Sequence, residues 1–436
     1  MNRSTLLNVI QHCDTIRRTG RVLQFYGMAV EASGPDVFIG EICEITTPSQ
    51  VRPVKAEVVG FKNGNVVLMP FGNLHGIHVG SEIVATGKSA TIPVGKGLLG
   101  RVVDGFGVPI DGKGPIMRQA DRKIYQDPIN PLSREAIDEQ LDTGVKVLDG
   151  FAPVGKGQRM GIFAGSGVGK STLLSLITKT SSADVNVIAM IGERGREVLE
   201  FIRNGLGEDG LANTVIVAAG ADQPALVRLY AAYAATAIAE HFMEQGKDVV
   251  LAMDSITRFA MAQREIGLAI GEPPTARGYT PSAFDKIPKL VERAGNFANQ
   301  GSITAFYTVL VEGDDFNEPI SDHVRAILDG HIVLDRQLAE RGIFPAINTL
   351  NSISRLARGL LDEGEYQMVM RANKLLSRYE ESKDILDIGG YQKGQNPDLD
   401  KAVDFVEKFN EFRVQSSEVI GAKQQLIDWL AKVLPR

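Results

Sequence analysis

Residues 164–172 read A-G-S-G-V-G-K-S-T, and three glycines within five positions leave few structures open to this stretch. Glycine destabilises the interior of a helix or a strand because it loses the most backbone freedom on folding. The stretch follows the apolar run R-M-G-I-F-A and overlaps K-S-T-L-L-S-L-I-T-K, which has helical spacing. A glycine-rich loop between a strand and a helix lets successive backbone N–H groups curl around an anion. The sequence therefore predicts a phosphate-binding loop.

Each part of this loop has an expected role. The residues expected to surround the phosphates of a nucleotide are Gly165, Ser166, Gly167, Val168, Gly169, Lys170, Ser171 and Thr172. Lys170 is expected to reach the outer phosphates, and the Ser171 hydroxyl to hold Mg²⁺. The usual pattern begins with glycine where this chain has Ala164, a small residue. The alternative is a glycine-rich turn followed by a chance Lys-Ser, but the strand and helix on either side argue against it.

The chain around and after the loop alternates between apolar runs and helical segments. R-M-G-I-F-A, V-N-V-I-A-M-I, T-V-I-V-A-A-G, D-V-V-L-A-M and S-I-T-A-F-Y-T-V-L have the continuous apolar character of buried strands. A long Ala-rich helix is expected from Pro224 to Gln245, with proline at its start and Gly246 just past its end. This alternation predicts an α/β domain, in which a parallel sheet is covered by helices on both faces.

The regions before and after this domain have different textures. Short β-rich runs fill residues 21–95, and Asn63-Gly64 is a strong two-residue hairpin signal, which together predict a small antiparallel β-barrel. Residues 95–115 are rich in Gly and Pro and are typical of a connector, whereas the chain becomes helical and charged from about 352. The expected domains are a helix at 1–20, either packed on its own domain or free to dock a partner, a barrel at 21–95, the α/β domain at 96–350 and a helical domain at 351–436.

Two acidic residues are expected at the sheet edge that carries the loop. Asp254 ends the strand D-V-V-L-A-M-D, and ligands of open α/β sheets bind at the carboxyl ends of the strands. A carboxylate there fits Mg²⁺ held through water, and the alternative is a cap on the helix that begins at once. Glu193, in I-G-E-R-G-R-E, is placed to orient and polarise a water that attacks a phosphate. Arg194 and Arg196 are suited to neutralise the negative charge of phosphate groups. A charged loop exposed to solvent is an equally open interpretation of this run.

Composition limits the class of protein. The chain has 436 residues, 44% of them hydrophobic, which is enough for real cores and suggests two or three domains. The net charge of −6 offers no bulk basic field for nucleic acid. Cys13 and Cys43 are the two cysteines, which fits a reducing compartment. The sequence has neither a signal-peptide pattern at its start nor an apolar run long enough to span a bilayer, so we expect a cytoplasmic protein.

Four blocks of the sequence resemble a single family. They are G-S-G-V-G-K-S-T, then I-G-E-R-G-R-E-V, then D-S-I-T-R-F-A-M-A-Q-R-E-I-G with G-E-P-P-T-A-R-G-Y-T-P-S, and finally V-E-G-D-D-F-N-E-P-I with D-G-H-I-V-L. Together they resemble the ATPases of type III protein export, both flagellar and virulence-associated, which are relatives of the rotary ATP synthase catalytic subunit. The runs D-Q-P-A-L and G-Y-T-P-S are more similar to the flagellar members.

The resemblance implies a fold and an activity. The fold is a RecA-like P-loop NTPase core, preceded by the barrel and followed by the helical domain. The activity is hydrolysis of ATP with Mg²⁺ by a homo-hexameric ring whose nucleotide sites lie between subunits. The family's catalytic glutamate falls on Glu193, and its Mg²⁺-side aspartate falls on Asp254. Its catalytic loop lysine is Lys170.

The resemblance also places residues that the motifs alone do not. The family's trans-acting arginine follows a Ser-rich stretch, here S-I-S-R, which implies Arg355. Its adenine-side aromatic falls on Phe344 of G-I-F-P-A, where the ATP synthase relatives usually have tyrosine, so stacking is kept and a hydroxyl contact is lost. Arg194 and Arg258 match polar positions near the nucleotide, whereas Gln263 is equally compatible with a helix-face residue.

Partners are implied by the resemblance alone. In the family the N-terminal helix docks a stator-like regulator, and the ring sits beneath a membrane-embedded export gate at the cytoplasmic face of the membrane. A central stalk protein enters the ring, and export chaperone–substrate complexes visit its C-terminal face. No nucleic acid is expected as a partner.

The sequence bears on four alternative functions. A virulence-type export ATPase shares the motif blocks. A catalytically silent nucleotide-binding subunit lacks the glutamate at the position of Glu193, which this chain has. A ring ATPase that translocates RNA needs stacking aromatics and a basic groove in its barrel, but residues 21–95 hold few aromatics and their basic residues are diluted by acidic ones. The ATP synthase catalytic subunit itself lacks the export-type blocks and requires partner subunits of a different ring.

Overall fold

The computed structural model describes residues 16–46, 53–415 and 419–434. Most of the expected docking helix at 1–20, and Cys13 with it, lies outside the described residues. Thr19 and Gly20, which the sequence assigned to that helix, belong to the first strand instead. Thr19 pairs with Val84 and Gly20 with Ile83 of the last barrel strand, so backbone hydrogen bonds to the barrel hold both residues in an extended conformation.

A closed six-stranded barrel forms the first domain. Its strands pair in the order β1-β2-β5-β4-β3-β6. They are β1 (Thr19–Tyr26), β2 (Ala29–Ser33), β3 (Glu41–Thr46), β4 (Val54–Lys62), β5 (Asn65–Pro70) and β6 (Glu82–Ser89). The predicted Asn63-Gly64 hairpin is confirmed, because Lys62 pairs with Asn65 and the two turn residues have φ of 51° and 83°. A small apolar core fills the barrel interior.

The central domain is built on a nine-stranded, mostly parallel sheet. Its order is β19-β18-β12-β17-β15-β13-β14-β8, and β16 pairs with β17 beside this path. Short pairs β7–β9 and β10–β11 flank it. The strands are β7 (Thr91–Val94), β8 (Arg101–Val103), β9 (Ala120–Lys123), β10 (Gln140–Leu141), β11 (Val154–Gly155), β12 (Arg159–Ala164), β13 (Val185–Glu193), β14 (Thr214–Gly220), β15 (Val249–Asp254), β16 (Gly295–Asn296), β17 (Ser302–Leu310), β18 (Gly330–Leu334) and β19 (Ile347–Ser354).

Helices cover both faces of this sheet, as the alternation predicted, and continue into the C-terminal domain. They are α1 (Lys146–Phe151), α2 (Lys170–Thr180), α3 (Gly195–Glu200), α4 (Gly207–Ala212), α5 (Ala225–Met243), α6 (Ile256–Ile270), α7 (Pro281–Val291), α8 (Pro319–Ile327), α9 (Arg336–Glu340), α10 (Ala357–Leu360), α11 (Glu363–Glu381), α12 (Lys383–Asp387), α13 (Pro397–Arg413) and α14 (Ala422–Val433). A π-helical turn, Phe201–Leu206, joins α3 to α4. The Ala-rich helix predicted from Pro224 is α5, and it is buried along nearly its whole length.

Two core clusters, one on each face of the sheet, hold the layers together. One cluster joins the sheet to α5, α6 and α7. The other joins it to α2 and to the C-terminal helices α11, α13 and α14. In the C-terminal domain the aromatic rings of Phe405 and Phe409 stack, and Trp429 stacks on Phe412. Alternate residues of each central strand therefore serve different helical layers, which explains the continuous apolar runs in the sequence.

Several strands lie where the sequence did not predict them, among them the central strand β18 and the two edge strands β8 and β19. β8 lies in the Gly- and Pro-rich stretch at 95–115 and forms an edge of the sheet, where it pairs with β14. β19 is antiparallel to β18 and contains residues 351–354, which the sequence assigned to the helical domain. Its N-T-L-N-S-I-S run mixes buried and exposed positions, with Leu350 and Asn351 both exposed, and is a weaker strand signal than the apolar runs of the central strands.

The barrel contacts the central domain through a buried carboxylate. Glu57 of β4 is 6% exposed and accepts hydrogen bonds from the hydroxyls of Tyr125 (3.2 Å) and Tyr230. Burial raises the pKa of Glu57, while the Tyr230 hydrogen bond and the charge of Lys286 oppose that rise. The two domains are thus joined by charge-assisted hydrogen bonds as well as by apolar packing.

No helix in the described part of the chain is both long and apolar enough to cross a membrane.

Candidate nucleotide-binding and catalytic site

The loop between β12 and α2 has the geometry that the sequence predicted. Gly167 and Gly169 have φ of 79° and 100°, in the left-handed region that favours glycine. Val168 is buried and anchors the loop, whereas Ser166 and Gly167 are exposed at its tip. Helix α2 starts at Lys170, so its unpaired N-terminal N–H groups lie at the base of the loop. The arrangement forms a site for an anion at the end of a helix.

Lys170 brings the two acidic residues together. Its Nζ lies 2.6 Å from Asp254 Oδ1 and 3.7 Å from Glu193 Oε1. The carboxylates come from the ends of β15 and β13, which are neighbours in the sheet. Three residues that are far apart in the sequence therefore meet at the carboxyl edge of the sheet, where open α/β folds bind ligands.

Asp254 is held inside this cluster. It is 3% exposed, and its Oδ1 also accepts a hydrogen bond of 2.8 Å from Thr308 Oγ1. The alternative that Asp254 caps the next helix is wrong, because Ser255 is the N-cap of α6 and its side chain accepts from the N–H of Arg258. The Asp254 carboxylate thus faces the loop lysine.

The environment of Glu193 changes its acidity. Burial, a hydrogen bond with Glu197 and the negative charge of Asp254 raise the pKa of Glu193 from 4.5 to about 7, although Lys170 opposes the rise. The hydrogen bond with Glu193 lowers the pKa of Glu197. A carboxyl group with a pKa near neutral accepts a proton from a water molecule more readily than an ordinary glutamate does.

The two arginines near this carboxyl group differ. Arg194 points outward, with 72% of its side chain exposed, and pairs with Glu197 at 3.4 Å. Arg258 packs against Gly192, where a Cβ would lie 3.2 Å from the arginine's side-chain carbons. Its buried Nε has no hydrogen-bond partner among the described residues. A phosphate oxygen would satisfy this donor, so the structure favours Arg258 over Arg194 as a phosphate contact.

Gln263 does not belong to the site. It is 2% exposed and donates to Ser282 Oγ at 2.9 Å, while its Oε1 accepts from Lys286 Nζ at 2.9 Å. Both of its polar ends are occupied within helices α6 and α7. The interpretation of Gln263 as a helix-face residue is the one that the structure supports.

Phe344 lies next to the loop. A Cβ added to Gly169 would stand 3.5 Å from the ring of Phe344, which is 39% exposed. The ring lines a cleft of about 960 Å³ that also contains Ser171 and Thr172. Val414 and Gln415 close the cleft, and the N–H of Gln415 donates to the Phe344 carbonyl at 2.8 Å. No motif surrounds these two residues, which follow α13, so they could not be predicted from the sequence.

Arg355 lies away from this loop. Ser354 pairs with Gly330, which in turn pairs with Met160 near the amino end of β12. The loop begins at Gly165, roughly 16 Å further along the strand at about 3.3 Å per residue. Arg355 is exposed on this side of the sheet. The structure therefore does not bring it to the site of its own chain.

The residues at the loop fit a nucleotide with a divalent cation. They combine a lysine, backbone N–H groups, the Arg258 donor and the exposed Ser171 hydroxyl near a buried carboxylate. Within the described ranges no group of three or more His, Cys, Asp or Glu residues is arranged to hold a metal by itself. The donor set therefore suits a cation that phosphates and water also coordinate.

These features define a P-loop nucleotide-binding ATPase core between a barrel and a helical domain. Sequence comparisons agree with this class. The nucleotide-binding domain of the ATP synthase alpha/beta family matches residues 144–354, and the beta-barrel domain of the same family matches residues 22–87. The C-terminal domain of the type III secretion ATPase EscN matches residues 361–432.

Whole-chain relatives identify the family. The chain is 50% identical over 420 residues to the flagellum-specific ATP synthase of Bacillus subtilis, covering 96% of this chain and 95% of the relative. It is 44% identical over 417 residues to the type 3 secretion system ATPase of Xanthomonas euvesicatoria, covering 96% and 94%. The chain belongs to the family of flagellum-specific ATP synthases and type 3 secretion system ATPases, which confirms the resemblance seen in the motif blocks.

Solved structures support the same family assignment. The assembled ATPase EscN of the enteropathogenic E. coli type III secretion system superposes with a TM-score of 0.90 at 43% identity, covering 95% of this chain and all of the other. EscN in complex with its central stalk EscO superposes with a TM-score of 0.86. The predicted order of barrel, RecA-like core and helical domain is confirmed by this match.

Proposed function

We propose that this chain hydrolyses ATP to energise flagellar type III protein export, as a homo-hexameric ring with nucleotide sites between subunits. The observation that carries the proposal is the meeting of Lys170, Glu193 and Asp254 at the phosphate-binding loop. Five flagellar relatives are 47–50% identical to this chain and a sixth is 43% identical, whereas two secretion relatives are 44% and 42% identical. This ranking favours the flagellar branch over the virulence-type alternative.

The side chains divide the work of hydrolysis. The loop N–H groups, Lys170 and Arg258 bind and orient the phosphates. Glu193 accepts a proton from the attacking water, or orients it, and its pKa of about 7 suits that role. Ser171 and Asp254 would hold Mg²⁺, which supplies charge neutralisation on the phosphates when bound. Phe344 would stack on the adenine at the far end of the cleft.

Arg355 acts on the site of a neighbouring subunit in this proposal. Its distance from its own loop supports action in trans. The surface around it is suited to a second copy, because Leu350 and Ile353 are 37% and 51% exposed and are shared by clefts of about 730 and 680 Å³. An exposed apolar surface of this kind is typical of a protein interface.

We also propose the partners that the family resemblance implies. The central stalk is supported by the EscN complex with EscO. The stator-like regulator, the membrane export gate and the chaperone–substrate complexes rest on the resemblance alone, as does a position at the cytoplasmic face of the membrane. The proposed functional division keeps a barrel, an ATPase core and a helical domain, with the start of the barrel moved to Thr19 and the end of the core moved to Ser354.

ATP hydrolysis measured against protein concentration tests the function. The specific rate is expected to climb steeply with concentration, because sites are completed by neighbours. Glu193→Gln should lower the rate at least 100-fold while nucleotide binding is kept. A rate that is flat, near zero and equal in the variant would overturn the catalytic assignment and favour the silent subunit.

A further inference from the structure

Thr308 is a fully buried hydroxyl at the centre of the sheet. It lies near the carboxyl end of β17 and is 0% exposed. In the neighbouring strand β12 its register partner is Ile162. On the other side Met253 pairs with Tyr307, so Asp254 is the next residue in register with Thr308. The threonine therefore stands between the strand that carries the loop and the strand that carries the carboxylate.

The hydroxyl of Thr308 contacts the Asp254 carboxylate. Thr308 Oγ1 lies 2.8 Å from Asp254 Oδ1 and 3.3 Å from the carbonyl oxygen of Met253. A hydroxyl has one proton, and the shorter contact to a charged acceptor is the stronger hydrogen bond. A buried threonine in a strand more often satisfies its hydroxyl on the backbone, so this contact with a side chain at the site sets Thr308 apart.

Both donors to Asp254 meet at the same oxygen. Lys170 Nζ and Thr308 Oγ1 contact Oδ1 at 2.6 and 2.8 Å. Among the described residues no hydrogen bond goes to Oδ2. Fixing one oxygen in this way leaves the other oriented for a ligand.

We propose that Thr308 is a positioning residue of the magnesium site, which holds the Asp254 carboxylate so that its second oxygen faces the cation. The inference rests on the proposed role of Asp254. Lys170 has a flexible stem and is expected to turn toward the phosphates when nucleotide binds. Thr308 is β-branched, buried and fixed on a central strand, so it keeps its hydrogen bond when the lysine moves.

ADP binding with and without Mg²⁺ tests this role without relying on turnover. Isothermal titration calorimetry would give the ADP affinity of the full chain in Mg²⁺ and in EDTA for the wild type, Thr308→Val and Thr308→Ser. Thr308→Val should keep the EDTA affinity and reduce the Mg²⁺-dependent gain about tenfold, as loss of an outer-shell partner of a metal ligand typically does. Thr308→Ser keeps the hydroxyl and should keep most of the gain.

Two further variants separate the possible failures. Thr304→Val changes another buried threonine of β17, whose hydroxyl accepts from the N–H of Gly157, and should leave the Mg²⁺ gain unchanged. Asp254→Asn should abolish the gain. If Asp254→Asn loses the gain and Thr308→Val keeps it, the positioning role is overturned and the proposed function stands.

The remaining outcomes are also decisive. If Asp254→Asn keeps the full gain, the magnesium assignment itself is overturned, and the role of Thr308 with it. If Thr308→Val weakens ADP binding equally in EDTA and in Mg²⁺, or if Thr304→Val loses the gain to the same extent, the effect is structural and the inference fails.

Discussion

At the scale of single residues, the site is governed by how burial acts on Glu193. The side chain is only 13% exposed and stands 3.7 Å from Lys170, yet its pKa is raised to about 7. Lys170 interacts more closely with Asp254, at 2.6 Å, so its charge is shared. The result is a glutamate that changes protonation near neutral pH, whereas an ordinary one is fully ionised there.

This raised pKa predicts a pH-dependent stability. The folded state binds the Glu193 proton more tightly than the unfolded chain does, so the stability it contributes is complete below pH 4.5 and is lost as pH rises through about 7. Glu193→Gln removes this loss. The melting temperature of the variant minus that of the wild type should therefore increase from pH 5 to pH 8.

The neighbouring carboxylate does not obscure that test. The pKa of Glu197 is lowered from 4.5, so its own contribution changes below the window from pH 5 to pH 8. Thermal unfolding without nucleotide, in buffers of equal ionic strength, gives the two curves. A difference that is constant across the window would contradict the raised pKa.

Phe344 permits a second prediction at the same scale. Aromatic stacking on a base is worth about 1–3 kcal/mol, so Phe344→Ala should weaken ATP binding about tenfold or more. Phe344→Tyr keeps the ring and should bind ATP within about twofold of the wild type. Calorimetric titration on Glu193→Gln protein avoids hydrolysis during the measurement. Equal loss in the alanine and tyrosine variants would show that the ring does not stack on the base.

At the scale of elements, the contact between β4 and α5 links the barrel to the core through hydrogen bonds to a buried carboxylate. Tyr230→Phe removes a hydroxyl that donates to the buried Glu57 carboxylate and should cost about 1–3 kcal/mol of unfolding free energy. Tyr233 lies on the same helix and makes no hydrogen bond to Glu57 in the described structure, so Tyr233→Phe is a matched control. Urea unfolding of both variants checks this, and equal shifts in midpoint would contradict the link.

Elements with strong local signals could be predicted from the sequence. The glycine loop, the five apolar runs named as strands and the Asn63-Gly64 turn each depend on neighbouring residues, so the local sequence was enough to predict them. β8 and β19 lie at the two edges of the sheet, where pairing with a distant strand decides the conformation. For the same reason the sequence did not indicate Thr308, whose partner Asp254 is 54 residues away, or Gln415, whose partner is the backbone of the distant Phe344. The sequence indicated which residues take part in the reaction, whereas the residues that position them became apparent only from the fold.

At the scale of the whole molecule, the two ends of the central strands carry the two proposed parts of a site. The loop with Lys170 and Glu193 lies at the carboxyl edge, and Arg355 lies beside the amino ends of β12 and β18. An interface that joins two different surfaces of identical subunits is heterologous and closes into a ring when the rotation allows it. Each proposed site would then take its glutamate from one subunit and its arginine from the next.

Mixing two inactive variants tests that arrangement directly. Glu193→Gln lacks the proposed base and Arg355→Ala the proposed trans arginine, whose loss should lower the rate about 10³-fold or more. In a ring assembled at random from equal amounts of both, about a quarter of the interfaces pair an intact Glu193 with an intact Arg355. Hydrolysis by the mixture should therefore rise well above either variant alone. Activity that stays at the level of the separate variants would mean either that one subunit contributes both residues to a site or that the subunits do not exchange. Labelling one variant with 15N and weighing the mixed rings by native mass spectrometry distinguishes the two.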